Sequence, residues 1–445
     1  MQQQSKPLGL WTLTALVSGN MIGSGIFLLP STLAKLGSIS LLAWILTALG
    51  AFCIAITFAK SSTLVKHKSG GPYAYAEVGF GRFIGFQTAY NYWIAVWVGN
   101  AAIAIAAIGY LIVFFPIFNN TVIGCILAIV LVWLFTIVNL LGMRVAGFVQ
   151  ILITILKFIP IFLFAIIGWW YFHPSFLTQH FNVTPLSNFK VFSYAIPLTL
   201  WAFIGIESAT IPAESVNNPE VNIPLATLLG TLIATVAYLA SATVIMGMIP
   251  MQVLAHSTSP FAAAADVIFG KWGNWLIALG AIISCLGCLN GWILIQAQIP
   301  MAAADDDLFP KIFAKRNKDG IPAYGIIITS ICMTLLLLIT TSPDLNKEFQ
   351  IIISIAVIAS LISYFYTAIA EIILLKKEGN KTGSITFHII IAIIAATYSF
   401  WAIAGTTKNI VFYQLLLLLS SVPLYSWEYW LKKKNVAENT NDLHR

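Results

Sequence analysis

The stretch 17-VSGNMIGSGIFLLP-30 decides how this chain is read. It lies in an apolar run long enough to cross a bilayer, yet its middle is Gly23-Ser24-Gly25. Three small residues in succession weaken a helix where lipid would enforce one. Backbone left unpaired at membrane depth persists only when protein, a cavity or a ligand satisfies it. The expectation is a spanning helix interrupted at a binding site.

Composition sets the frame around that stretch. Hydrophobic residues make up 59% of the chain and charged residues 9%, whereas soluble domains carry about 25% charged residues. Apolar segments of roughly 20 residues or more recur along the whole length, which is the signature of spanning helices and not of a β-barrel. Twelve spans are expected, near residues 9–35, 40–64, 84–114, 121–143, 147–171, 190–213, 222–250, 272–302, 323–341, 349–376, 384–405 and 409–431. The first has no small-residue cleavage site and reads as a retained span, not a signal peptide.

The net charge of +7 is a matter of topology. Lys60, Lys66, Lys68, Arg82, Arg144, Lys311, Lys315, Arg316, Lys318, Lys376, Lys377, Lys381 and Lys432 to Lys434 fall on one side of the twelve spans. Lys35, Lys190, Lys271, Lys347 and Lys408 fall on the other. This bias places both termini in the cytoplasm and gives no reason to invoke nucleic acid. All five cysteines lie in expected spans. Cys285 and Cys288 are a turn apart, but with no histidine or second pair nearby they read as small core residues, so neither a metal nor a cofactor is expected.

A second irregular span, 198-LTLWAFIGIESATIP-212, places Gly205, Glu207, Ser208 and Thr210 at mid-membrane. Breakable first and sixth spans, each opening a set of five, point to an inverted repeat with a site at the midplane. Repeat one then covers about 9–171 and repeat two about 190–376, followed by two further helices (384–431) and a polar, disordered cytoplasmic tail (432–445). The two further helices show no functional polar residue and are expected to contact lipid or a second copy.

Charges inside a span cost about 3 kcal/mol at the bilayer centre and so mark function. Glu207, beside the break, is a candidate proton-linked gate; the bland alternative is a neutral acid satisfying local backbone. Lys157, between Leu156 and Phe158, needs carbonyl partners that a broken first helix could offer, the alternative being a side chain that snorkels to the interface. Glu371, close to Lys376, reads as interfacial and is discounted. Amides exposed after Gly23 and Ser24 suit a carboxylate. Carbonyls near Trp201 to Ile204 suit an α-ammonium, and Trp201 and Trp292 offer faces for a cationic or apolar side chain. Asn100, in span three, must find a hydrogen-bond partner inside the bundle.

Together with 70-GGPYAYA-76, 92-YWIAVWVGN-100, 217-NNPEVNIPLAT-227, 245-IMGMIP-250 and 302-AAADDDLFPKIFAKRNKDGIP-322, these stretches carry a family likeness. The chain resembles the amino acid–polyamine–organocation transporters over essentially its full length. It is most similar among them to bacterial basic amino acid/polyamine antiporters of the arginine/agmatine type. The resemblance implies an all-α integral membrane protein of the bacterial inner membrane with a LeuT-like five-plus-five inverted repeat, helices 1 and 6 broken. It also implies alternating access and, commonly, a homodimer.

By resemblance, Ser24 with Ile22, Gly23 and Gly25 forms the carboxylate-binding turn, and Asn20 lines the pocket. Trp201 matches a middle gate, and Ile204 the residue whose carbonyl accepts from the ammonium. Ala95, Asn100 and Trp292 match the side-chain end. Tyr92, Glu207 and Tyr364 match an outer gate, with Glu207 a suspected pH sensor. Val96, Ile103 and Ala356 depart from that pattern, which has cysteine, methionine and serine there; Ala356 removes a hydroxyl from the pocket. Lys157 departs further. It is similar to the span-five lysine of related permeases, which stands in the place of a sodium ion and implies sodium independence.

The leading expectation is exchange of arginine for agmatine or another amino acid, with ornithine/putrescine-type exchange and proton-coupled uptake as alternatives. Partners are small amines, amino acids and membrane lipid. An enzyme is disfavoured because the six histidines are scattered, mostly in loops or tails, and nothing positions a scissile bond or water beside an imagined Lys157–Ser24 dyad. A channel is disfavoured because no ring of like charges does.

Overall fold

The computed structural model describes residues 8–66, 68–141, 157–158, 161–318, 320–378 and 383–443. Among them are eleven helices long and apolar enough to cross a membrane. The remaining expected span, the fifth, is described at Lys157 and Phe158 and over Ile161–Tyr171. Its earlier part and Arg144 lie outside the described residues, as do His67 and Lys381.

Repeat one begins with two half-helices, α1 (Leu10–Met21) and α2 (Ser24–Ala34), followed by α3 (Ile39–Leu64). A short α4 (Pro72–Phe80) leads into the long α5 (Arg82–Leu111), then α6 (Thr121–Leu140) and α7 (Ile161–Tyr171). After the small α8 (Pro174–Thr178), repeat two begins with α9 (Asn188–Leu200), which dissolves into short 3-10 turns at Trp201–Phe203, Ile206–Ala209 and Ala213–Ser215. There follow α10 (Pro219–Met248), the one-turn α11 (Met251–Leu254), α12 (Pro260–Asp305), α13 (Ala323–Thr340) and α14 (Leu345–Glu378). α12 is itself broken at Gly270, where φ is +64°. α15 (Gly383–Ala404) and α16 (Lys408–Leu443) close the chain.

Burial sorts these helices as a membrane bundle requires. α1, α2 and α5 are almost wholly enclosed. α6, α13, α15 and α16 turn aliphatic faces outward, among them Val122, Ile126, Val130, Leu335, Leu338, Ile390 and Leu419. An outer apolar face is expected where lipid and not water is the solvent.

Two expectations need correction. The backbone of the supposed disordered tail continues as helix to Leu443. No glycine or proline falls between Leu424 and Leu443, and extending an existing helix avoids the costly nucleation step. The last two spans are also not free of polar work: Gln414 Nε2 of α16 donates to Asn91 Oδ1 at 2.9 Å, and Gln87 Nε2 donates to Ser421 Oγ at 3.2 Å. Such bonds stitch α16 to α5 where apolar contact alone gives little preference over lipid.

Candidate functional site

The two interruptions face each other at the centre of the bundle. α1 ends with Ile22 N donating to Ser18 O at 2.9 Å, and Ile22 and Gly23 leave the helical region before α2 starts at Ser24. The amides of Ser24, Gly25 and Ile26 find no acceptor among the described residues, so α2 presents a free N-terminal turn. A Cβ on Gly25 would lie 3.0 Å from Ala202 Cα and 3.2 Å from Trp201 Cδ1, so this position must lack a side chain for the two breaks to meet. Gly205 turns the other break with φ at +119°, a conformation that disfavours other residues.

Around this junction is a cavity of about 350 Å³ of empty space, its mouth included. Of the expected substrate residues, Asn20, Gly23, Ser24, Gly25 and Ala95 line it, as do Val96, Asn100, Trp201, Ile204 and Trp292. Ile22 and Ala356 do not. Ile22 is fully buried and points into core packing. Ala356 stands behind Gly99, its Cβ 3.9 Å from where a Gly99 Cβ would be.

Three buried polar atoms on the lining residues lack partners: Asn20 Oδ1, Ser24 Oγ and Asn100 Oδ1. Asn100 spends its amide nitrogen on Gln296 Oε1 at 2.7 Å, which leaves Gln296 Nε2 unpaired as well. Exchanging oxygen and nitrogen in both amides again leaves one donor and one acceptor free. Buried orphans of this kind call for a ligand or an ordered water.

The three expected gate residues form a buried triad next to the second break. Glu207 has no exposed surface. Tyr92 Oη donates to its Oε1, and Tyr364 Oη donates to its Oε2 at 2.6 Å. Gly205 N donates to Oε2 at 3.2 Å. The carboxylate thus fills the gap that its own broken helix opens. Its side of the cavity differs from the outer gate expected by resemblance. Span six runs from Asn188 towards Val216, which bridges to Leu8, so Glu207 lies beyond Trp201 on the side of the N-terminal residues. Tyr92 and Tyr364 agree, each displaced towards that side from Asn100 and Phe349. On the other side, Phe349 stands edge-on to Trp201, with ring centres 6.4 Å apart.

Side chains from two other spans hold the last turn of α1. Lys157, fully buried, donates to Gly19 O. Trp292 Nε1 donates to Asn20 O at 3.1 Å, and Cys288 Sγ donates to the same oxygen at 3.5 Å. Carbonyls at the C-terminal end of a half-helix carry partial negative charge, so a lysine ammonium is well placed there.

Some of the site was missed in the sequence. Gln296 follows Trp292 by one turn, and a glutamine amid apolar residues was the available signal. Cys288, Met21 and Gly99 also line the cavity, as does Ile103, which the family pattern had already singled out. Glu371, discounted as interfacial, is only 1% exposed, and its carboxylate lies 3.6 Å from His388 Nδ1. Helix geometry turns it inward towards α15, away from Lys376.

On the N-terminal side, Lys68 pairs with Glu77 at 2.7 Å and Asp306 at 3.1 Å, joining the loop before α4 to the end of α12. Burial pulls its pKa down, but the two carboxylates outweigh it, so the net shift is upward. Tyr73 Oη donates to Asp306 at 3.2 Å, and burial followed by the neighbouring carboxylates raises its pKa.

Residues 8–420 match the amino acid permease family. The putrescine transporter PotE of Haemophilus influenzae is 35% identical over 436 residues, 97% of this chain and 100% of the relative. The cadaverine/lysine antiporter of Escherichia coli K12 is 35% identical over 412 residues, 91% of each chain. The putrescine transporter PotE of E. coli K12 is 34% identical over 438 residues, 98% of this chain and 99% of that one.

Proposed function

Because this chain belongs to the amino acid permease family, we propose that it exchanges a basic amino acid for its decarboxylated diamine across the membrane. The pair is of the ornithine/putrescine or lysine/cadaverine kind. The observation that carries this choice is that the Asn100–Gln296 amide pair leaves only one acceptor free at the side-chain end, whichever way the two amides are turned. An ammonium can use one amide oxygen together with the faces of Trp201 and Trp292. A guanidinium presents five donors and would need more acceptors than this amide pair supplies. The arginine/agmatine pair therefore has less support, and the relatives are named for putrescine, cadaverine and lysine instead.

In this reading the free amides of Ser24, Gly25 and Ile26 take the amino acid carboxylate. A diamine leaves them to water, which makes it the weaker-bound and faster-released cargo. Trp201 covers the cargo on one side, and the Tyr92–Glu207–Tyr364 triad bars the other until Glu207 takes up a proton. Lys157 keeps a positive charge on the last turn of α1, so no sodium ion is required.

Counterflow in proteoliposomes tests the proposal. Preloaded putrescine or cadaverine should accelerate entry of radiolabelled ornithine or lysine, and Trp201→Ala should abolish that exchange in a protein that still folds. The proposal is lost if no diamine accelerates entry. Stimulation by agmatine and arginine alone would restore the other pair.

A further inference from the structure

A second cavity lies between α5, α6, α13 and α14, at the end of the molecule where Lys35 pairs with Asp344. It encloses about 430 Å³ of empty space, mouth included, and is thus no smaller than the central one. Ile105, Ile108 and Ile112 form one wall from a single face of α5, and Leu337 of α13 lies across from them. Exposed Asn119 and Asn120 stand at its mouth. Ile103, two residues before Ile105, belongs to the central cavity, so the two spaces lie on different sides of α5.

Glu348 also lines this space, with Thr121 and Ser342, opposite the isoleucine wall. It is 8% exposed, and its Oε2 accepts from Ser342 N at 3.3 Å. Among the described residues no lysine, arginine or histidine forms an ion pair with it, and Lys35 is engaged by Asp344 at 3.8 Å. A carboxylate withdrawn from water without a countercharge is costly. A carboxylate at the end of an aliphatic slot matches a cation that carries its own aliphatic chain.

We propose that this cavity is a second binding site, for a primary alkylammonium, with Glu348 holding the charge and the isoleucine face holding the carbon chain. The site does not depend on the exchange reading of the central cavity. The ammonium has two sources of the same chemistry: a free diamine, or the headgroup of phosphatidylethanolamine at the membrane edge.

The test is equilibrium binding of radiolabelled putrescine to purified protein. Gly25→Val and, separately, Trp201→Ala cripple the central cavity; each should retain one weaker site per chain. Adding Glu348→Gln should weaken that residual binding at least tenfold. Ile108→Trp, which fills the slot without touching the carboxylate, should do the same and guards against a misfolded glutamine variant. In phosphatidylglycerol nanodiscs, added phosphatidylethanolamine that displaces putrescine identifies the headgroup as occupant, and indifference to it identifies the free amine. Loss of all binding in the centre-crippled variants, or residual binding unmoved by Glu348→Gln and Ile108→Trp, overturns the proposal. Glu348→Gln alone should leave counterflow intact, so a failure of the exchange reading would show in the unaltered protein and be told apart.

Discussion

The two interrupted spans solve one problem in opposite ways. At the first break, the amides of Ser24, Gly25 and Ile26 are left without acceptors, and Ser24 Oγ is unpaired too. At the second, Ile204 N turns back to Trp201 O at 3.3 Å, Ser208 N to Gly205 O at 3.0 Å, and Gly205 N reaches the carboxylate of Glu207. Tyr238 Oη occupies Ala202 O at 2.7 Å. One break leaves its backbone donors unpaired; the other is filled by an acid from its own chain. Under the exchange proposed above, the first would receive a charged group and the second would act as a hinge whose seal can be titrated.

Closing the open break should have the largest effect. Gly25→Val drives a side chain against Ala202 Cα, and a displacement of about 1 Å at such a site costs about 100-fold in turnover. Radiolabelled ornithine or lysine counterflow measures it, and retained exchange would dissolve the distinction between the breaks. Unsealing the other break comes next. Glu207→Gln turns charge-assisted bonds from Tyr92 and Tyr364 into neutral ones, a loss of about 2 kcal/mol to the closed state. Exchange measured across pH 5 to 8 should become nearly flat, roughly as a non-titrating amide requires, and an unchanged profile would remove Glu207 as sensor.

Lys157→Met leaves Gly19 O without its donor and should lower stability by about 1.5 kcal/mol. Thermal unfolding in detergent reads that loss, and transport assayed from both faces should become asymmetric; identical kinetics from either face would deny Lys157 a part in coupling. Lys68→Met should have the smallest effect, about 0.5 kcal/mol, since its ion pairs are partly exposed. Its folded pKa is raised, so that contribution is fully present below the ordinary lysine value of 10.5 and fades only as pH climbs through the higher folded value. The stability difference between the unaltered protein and the Lys68→Met variant should thus stay constant from neutral pH up to that range.

Both breaks were legible in the sequence because small residues and an acid inside apolar runs violate what lipid demands. Position along a span was legible for the same reason. What lies opposite was not. Gln296, Cys288 and Met21 enter the site through the rotation of α12 and α1, which weakly amphipathic, buried helices do not encode in their hydrophobic pattern. Glu371 sits near Lys376 in sequence but on another face of α14. The side of Trp201 on which Tyr92, Glu207 and Tyr364 lie needed the direction of span six, which the folded chain makes plain.

The contact between the breaks has a mechanical consequence. A Cβ on Gly205 would stand 3.2 Å from Met21 N and 3.3 Å from Asn20 C, and Asn20 Nδ2 donates to Ser208 Oγ at 3.1 Å. The two breaks therefore touch directly, backbone against backbone, within the wider contact that α1, α3 and α5 make with α9, α10, α12 and α14. Under the exchange proposed above, a cargo that tilts α2 by its carboxylate would turn the backbone carrying Glu207 in the same stroke, and news of its arrival or departure would have only the width of a peptide bond to travel.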